Sequence, residues 1–283
     1  VKGLLTLSAY YGGKASHAKH LLPILEAIPH THYVEAFGGL AALLLNKRPV
    51  KVEVYNDVDG ALVALMRVVR ERPEELAYQV GLTPYARDEY KYCQQILKEG
   101  KADELEMARA AWSMLKMTFN STLTSGGFST GGMARTSSIA KEFHNTSSFY
   151  RVGARLKDVI IENTSWEQVF ELHDKPGALL YLDPPYHPNT RTSRGYRFEW
   201  SRSRHLAFVE KIVGAKAAVV VSGYDHPDYY SLEDAGWVRT CYMANTMQGV
   251  SGRMQAQESV WLNEAAQVGQ GAWGLFAQEG VRL

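Results

Sequence analysis

Apolar and polar positions along this chain follow two different periods. Thr31–Phe37 and Lys51–Tyr55 are short runs that read as strands, the second by its alternation of polar and apolar residues. Between them Leu40–Leu45 opens a helix. After them Val58, Leu62, Leu65, Met66 and Val69 recur at helical spacing until Pro73. Strand, helix, strand, helix in that order requires a parallel sheet with right-handed crossovers. Sheet-like runs return at Val159–Ile161, Ala178–Leu182 and Ala217–Ser222, and Trp200–Gly214 reads as a further helix. Trp237–Met243 and Ser259–Asn263 suit a closing antiparallel pair. Between 81 and 155 the pattern changes. Tyr85–Lys98 and Asp103–Thr118 are helical, and Asn120–Ser138, rich in Gly, Ser and Thr, predicts a loop or hairpin. The expected fold class is α/β: a doubly wound, mostly parallel sheet with a closing antiparallel hairpin, built from 1–80 and 156–283. A mainly helical domain is inserted at 81–155.

Composition narrows the setting. With 283 residues, 46% of them hydrophobic and 22% charged, the chain is long enough for one α/β core plus an insertion. No stretch approaches the roughly 20 apolar residues of a membrane span. No signal-peptide pattern opens the sequence, and the two cysteines, Cys93 and Cys241, form neither a disulfide framework nor a metal cluster. A cytoplasmic protein with free thiols is expected. The formal net charge of +1 announces no global attraction to nucleic acid, so any such binding must come from local patches.

One apolar run stops in an informative way. Ala178–Leu182 reads as a strand buried on both faces and ends abruptly in Asp183-Pro184-Pro185-Tyr186. The prolines cannot continue the ladder, so the chain leaves the sheet there. A carboxylate, a stiffened backbone and an aromatic ring thus collect at the carboxyl end of a central strand, where open α/β sheets bind ligands. The group suits chemistry on the exocyclic amine of a flat heterocycle. Asp183 and the Pro184 carbonyl can accept the two amino hydrogens, and Tyr186 can stack on the ring. Taken alone, the four residues read equally well as a strand end followed by an ordinary turn.

Two further segments point the same way. Gly38-Gly39 lies between a strand and a helix, where glycine lets a ligand approach the backbone and the helix N-terminus. Asn56-Asp57 follows the second strand at about the twenty-residue offset where an acid commonly holds a ribose hydroxyl. The turn reads Phe37-Gly38-Gly39-Leu40-Ala41-Ala42 and lacks the third glycine of the dinucleotide fingerprint, which argues against a nicotinamide enzyme. Upstream, Tyr10-Tyr11-Gly12-Gly13-Lys14 precedes an amphipathic helix, and its turn can present a lysine to a ligand carboxylate and an aromatic ring to an adenine. His17, His20, His30 and His32 show no ligand spacing and are expected to pack or face solvent. No metal is expected.

In this order the motifs resemble those of the Dam-like DNA adenine-N6 methyltransferases, over nearly the whole chain. The resemblance implies a Rossmann-like fold, S-adenosylmethionine as methyl donor, double-stranded DNA as partner and a flipped adenine as acceptor. It assigns Tyr10, Lys14 and Asp57 to the cofactor, together with Glu35, Phe37, Gly38, Gly39 and Asn163. Asp183 is placed between cofactor and target amine, and Pro184, Pro185 and Tyr186 complete the catalytic motif. Segment 81–155 matches the family's target-recognition domain, and Arg253 with Glu258–Asn263 matches its final hairpin. From Met107 to Lys157, seven basic residues (Arg109, Lys116, Arg135, Lys141, Arg151, Arg155 and Lys157) stand against a single acid, Glu142. After the catalytic motif, His187–His205 holds five arginines against Glu199. The expected DNA contacts are Asn120, Arg135, Arg191, Arg194 and Arg197. A bacterial or phage-encoded protein, with a possible cognate restriction endonuclease, fits the same resemblance.

Two departures stand out. Ser165 occupies a position where many relatives carry an acid near the cofactor adenine. The recognition hairpin looks shortened, and Ser121–Gly132 carries no charge, so the Dam target sequence is not expected here. The alternatives are a cytosine-N4 DNA methyltransferase, an adenine-N6 RNA methyltransferase, or a non-catalytic relative that binds DNA or cofactor.

Overall fold

Short strands that are apolar on both faces can be satisfied only in a parallel sheet covered by helices. The structure, a computed structural model, describes residues 3–119, 121–123, 126–130, 136–188, 197–246 and 254–267. The strands are β1 (His32–Glu35), β2 (Val52–Asn56), β3 (Ile160–Glu162), β4 (Ala178–Leu182), β5 (Ala218–Gly223), β6 (Val238–Thr246) and β7 (Met254–Leu262). They form one sheet in the order β3-β2-β1-β4-β5-β7-β6. The first five run parallel, β7 lies antiparallel to β5, and β6 closes the sheet antiparallel to β7. The doubly wound expectation is met. The closing pair is longer than the hydrophobic pattern indicated, because polar positions such as Asn245 and Gln255 continue the ladder.

The winding fixes where a ligand goes. From β1 the chain runs outward through β2 to β3, then returns to the other side of β1 with β4 and β5. The strand order reverses between β1 and β4, so the crevice opens at their carboxyl ends. Phe37-Gly38-Gly39 and Asp183-Pro184-Pro185-Tyr186 both leave the sheet there.

The helices are α1 (Ala18–Ala27), α2 (Ala42–Asn46), α3 (Gly60–Glu71), α4 (Pro73–Leu82), α5 (Arg87–Glu99), α6 (Glu104–Met117), α7 (Thr136–Phe143), α8 (Ser147–Leu156), α9 (Trp166–His173), α10 (Arg202–Ile212), α11 (Tyr230–Asp234) and α12 (Glu264–Gln267). The period-2 alternation of the strands sorts the core into two layers. Tyr33, Tyr55, Leu179, Tyr181 and Val220 face α1, α2, α3, α6 and α8. Val34, Val54, Leu180, Val219 and Val221 face α9 and α10 through Trp166, Phe170 and Phe208.

Helix α6 is buried nearly all round, with Ala108, Ala110, Ala111, Trp112 and Met114 at 0% exposure, as expected of a helix that is apolar on every face. Its one buried charge, Arg109, is matched by Glu89 at 2.5 Å and Glu106 at 2.7 Å. Segment 81–155 therefore shares a core with one face of the sheet. Arg155 is also used internally, on Glu53 at 2.7 Å and the Leu44 carbonyl at 2.7 Å. Two of the seven basic residues between 107 and 157 thus serve the fold.

Two boundaries differ from the sequence reading. The helix after Gly38-Gly39 begins at Ala42 rather than Leu40, because Gly39 and Ala41 take left-handed backbone angles (φ 54° and 53°) and spend two residues on a turn. Helix α7 begins at Thr136, inside the predicted loop. Among the described residues of that loop, an antiparallel bridge joins Thr118 to Phe128, and Ser129 N–H donates to the Met117 carbonyl at 2.7 Å.

Candidate active site

The turn after β1 is clamped from the end of β2. Gly38 N–H donates to the Asn56 carbonyl at 2.7 Å, Gly39 N–H donates to Asp57 Oδ2 at 2.8 Å, and the Tyr55 hydroxyl donates to the Gly39 carbonyl at 2.8 Å. The Tyr55 ring lies so close that a Cβ on Gly38 would stand 2.2 Å from it. Asn56, 1% exposed, ties three strand ends together: Nδ2 donates to the carbonyls of Ala36 (2.9 Å) and Thr164 (3.2 Å), and Oδ1 accepts from Thr164 N–H (3.0 Å). The other Asp57 oxygen accepts from Asp59 N–H at 2.8 Å.

A cavity of about 370 Å³ opens above this turn. All the expected cofactor residues line it except Asn163, which is exposed and donates from Nδ2 to the Asp57 carbonyl at 2.7 Å. Asp59, Tyr181, Arg197 and Phe198 line it too, and sequence reasoning did not place them there. Arg197, expected on DNA phosphates, instead pairs with Asp59 Oδ1 at 2.8 Å and donates to the Leu97 carbonyl.

The charge in this cavity is unusual. Glu35, Asp57, Asp59 and Asp183 all face it, against Lys14 and Arg197. Burial pushes the carboxyls up, Glu35 to about 8 and Asp57 to about 6, although the Tyr33 hydroxyl on Glu35 and the backbone amides on Asp57 pull the other way. Asp59 and Asp183 are raised by burial as well, with Arg197 and Lys14 opposing. Asp59 Oδ2 is buried with no hydrogen-bond partner among the described residues. Such a cavity favours a cationic ligand, which would stabilise the ionised carboxylates.

Glu35 also makes a prediction about stability. Its carboxyl titrates near 4.5 when unfolded and near 8 when folded, so between these values the folded state holds a proton that the unfolded state has lost. The stabilisation is complete below about pH 4.5 and is lost as pH rises through 8, by an amount on the order of 5 kcal/mol. Denaturant titrations at pH 5 and 8.5 should show the wild type losing stability and Glu35→Gln losing distinctly less. Equal losses would remove Glu35 as the source.

At the end of β4, Asp183 is held at both oxygens. Lys14 Nζ lies 2.7 Å from Oδ2, and the Ser222 hydroxyl donates to Oδ1 at 2.7 Å. Lys14 also sits 4.6 Å from the Tyr186 ring centroid. The Tyr186 hydroxyl donates to Glu258 Oε2 at 2.5 Å, and its ring meets that of Tyr224 edge-on at 4.7 Å. A second cavity, about 690 Å³, is lined by Tyr186, Tyr224, Glu258, Lys116, Phe119 and the start of α8. The two cavities share residues 10–14 as a common wall. Asp183 faces the first and Tyr186 the second, so the tetrapeptide spans the partition between them.

The remaining expected residues separate into two groups. Asn120, Arg135, Arg191, Arg194 and Arg253 lie outside the described residues. Ser165 caps α9 in a reciprocal capping box with Gln168. His17 packs, donating to or accepting from the Tyr242 hydroxyl at 3.0 Å, and burial lowers its pKa to about 3. At the end of β5, Tyr224 lines the second cavity while Ser222 touches Asp183. Glu258 was legible only as part of a terminal hairpin, since nothing local marks it as the partner of Tyr186. Behind the motif, His187, His226 and Asp228 cluster, but the two imidazoles stack at 3.6 Å and Arg202 grips both Asp228 oxygens at 2.8 Å. That arrangement braces the chain after Tyr186.

Comparison with known proteins agrees with this geometry. The family described as D12 class N6 adenine-specific DNA methyltransferase matches residues 10–229. The chain is 26% identical over 234 residues to the Type II methyltransferase M.CviBI of Paramecium bursaria Chlorella virus NC1A, covering 77% of this chain and 86% of that protein. It is 28% identical over 205 residues to the Type II methyltransferase M1.LlaDCHI of Lactococcus lactis subsp. cremoris, covering 67% and 68%.

Proposed function

The chain belongs to the D12 class N6 adenine-specific DNA methyltransferases, and from that membership we propose how its site divides the work. The first cavity takes S-adenosylmethionine, the second takes an adenine swung out of double-stranded DNA, and Asp183 joins them. The observation that carries this reading is the partition: Asp183 faces one cavity and Tyr186, three residues on, lines the other.

The residues present suit that cofactor. Its sulfonium and ammonium groups are cations, and four carboxyl groups line the cavity. Asp57, pinned against Gly39 and Asp59 by backbone amides, keeps lone pairs for ribose hydroxyls. When bound, S-adenosylmethionine would supply an electrophilic methyl group and leave as S-adenosylhomocysteine, and the proton then lost by the methylated amine would pass to solvent by way of the Asp183 carboxylate.

The protein's part is positioning and electrostatics. The adenine N6 lone pair is delocalised into the ring and is a poor nucleophile. Asp183 accepts one amino hydrogen and the Pro184 carbonyl the other, which localises the lone pair and points it across the partition. Pro184 and Pro185 stiffen the backbone that carries both acceptors. Lys14 and Ser222 hold the Asp183 carboxylate in place. Drawing a base out of the duplex costs a few kcal/mol, and stacking on Tyr186 returns about 1–3 kcal/mol.

Segment 81–155 serves as the target-recognition region; the proposed contacts are Asn120 and Arg135 within it, and Arg191 and Arg194 after the catalytic motif. Because the described and undescribed parts of Ser121–Gly132 alike carry no charged residue, the target site differs from the GATC of Dam. Most basic contacts go to phosphates, so binding weakens steeply with salt. Both relatives are named Type II methyltransferases, which supports a cognate restriction endonuclease. No helix among the described residues is long and apolar enough to cross a membrane.

Two measurements test the reading. Asp57→Ala should weaken S-adenosylmethionine by about 1–3 kcal/mol in titration calorimetry, and unchanged affinity in a folded variant removes Asp57 from the site. Single-molecule sequencing of DNA from expressing cells should map modified adenines to a motif other than GATC, and modification confined to GATC contradicts the altered readout.

A further inference from the structure

Behind Asp183 stands a pair of buried hydroxyls. Ser222 donates to Asp183 Oδ1 at 2.7 Å, and the Tyr181 hydroxyl lies 2.8 Å from Ser222 Oγ. A serine has one hydroxyl proton. With that proton on the carboxylate, Tyr181 must donate to Ser222, so the protons run one way, from Tyr181 through Ser222 to Asp183. Ser222 is 1% exposed and Tyr181 3%. Ser222 follows the apolar run Ala218–Val221 on a central strand, where an unbonded hydroxyl is costly. The strand could have carried valine there as it does at the three preceding positions.

We propose that Ser222, oriented by Tyr181, is a positioning residue for methyl transfer: it keeps the Asp183 carboxyl ionised and fixes which lone pair faces the target amine. This rests on the adenine-N6 reading above. The reaction needs Asp183 as an acceptor, and a protonated carboxyl would offer a hydrogen where the amine brings its own. The surroundings press towards protonation. Burial raises Asp183, and its charge in turn raises two buried acids near it, Glu35 on β1 and Glu258 on β7. The opposing cation is Lys14, on the other oxygen. Tyr186, Tyr229 and Tyr242 also couple to it, but burial pushes them upward, so they stay neutral. A single hydroxyl donor on Oδ1 is therefore a substantial part of what holds the charge.

The test is the pH profile of single-turnover methylation of duplex DNA at saturating S-adenosylmethionine. Ser222→Ala should lower the rate at neutral pH by about 10–100-fold. It should move the acidic limb up by about one pH unit, with cofactor affinity nearly unchanged. Tyr181→Phe should move the limb the same way by less, and Ser222→Thr, which keeps the hydroxyl, should return it towards the wild-type position. An infrared titration of the ligand-free protein, with Asp183→Asn as the blank, reads the same carboxyl without turnover. It should show protonation at higher pH in Ser222→Ala. A limb and an infrared titration that coincide with wild type, whether or not the rate falls uniformly, would mean that Ser222 only fills space and would overturn the proposal. Absence of N6-methyladenine from the wild type at every pH would overturn the functional reading instead.

Discussion

Asp183→Ala is expected to reduce methyl transfer by at least roughly a hundred- to a thousandfold, the scale of removing one preorganised polar contact to a reacting group. DNA binding should persist, because the motif's carboxylate is not among the proposed phosphate contacts. The structure adds a complication. Lys14 is 6% exposed and pairs with Asp183 at 2.7 Å, so the alanine variant strands a buried cation. Breaking a buried pair in this way costs about 3–5 kcal/mol. The double variant Lys14→Met with Asp183→Ala should recover most of that stability and none of the activity. Tritium transfer to DNA together with thermal unfolding separates the two effects. Near wild-type transfer by either variant would remove Asp183 from catalysis.

Gly38→Ala should be the most damaging change in the first cavity. Its new Cβ would lie 2.2 Å and 2.4 Å from the Tyr55 ring and 3.0 Å from the Asn56 carbonyl oxygen. Tyr55 is 0% exposed, and its hydroxyl is anchored on the Gly39 carbonyl, so the ring cannot withdraw without releasing the turn. Overpacking of this kind costs about 1–3 kcal/mol in stability. Because the displaced turn carries the Gly39 amide that fixes Asp57, affinity for S-adenosylhomocysteine should fall about 100-fold or more, the effect of a misplaced binding group. Calorimetry showing wild-type affinity would mean that the turn does not shape the cofactor site.

Much of this site could be read from local pattern, and the unread part has a common cause. The apolar run of β4 and its abrupt stop at Asp183-Pro184-Pro185-Tyr186 announce a strand end at a ligand crevice, because burial and proline chemistry act within a few residues. Gly38-Gly39 and Asp57 were legible for the same reason. Arg197 was not. Its sequence neighbours are basic and suggest a phosphate-binding loop, while its partner Asp59 lies 138 residues away at the N-cap of α3. Ser222 and Glu258 acquire their roles only when β5 pairs with β4 and β7 pairs with β5, contacts 39 and 72 residues apart along the chain. The start of α2 was misjudged because a left-handed non-glycine residue, Ala41, leaves no compositional mark.

The central claim is that Asp183 activates the N6 amine of a flipped adenine. Its most direct test is nucleoside mass spectrometry. Duplex DNA and RNA are incubated with labelled S-adenosylmethionine and either the wild type or Asp183→Ala, then digested completely. Labelled N6-methyl-2′-deoxyadenosine is expected from DNA with the wild type, and at least roughly a hundredfold less with the variant. Labelled N4-methyl-2′-deoxycytidine, label confined to RNA, or equal N6-methyl-2′-deoxyadenosine from both proteins would contradict it.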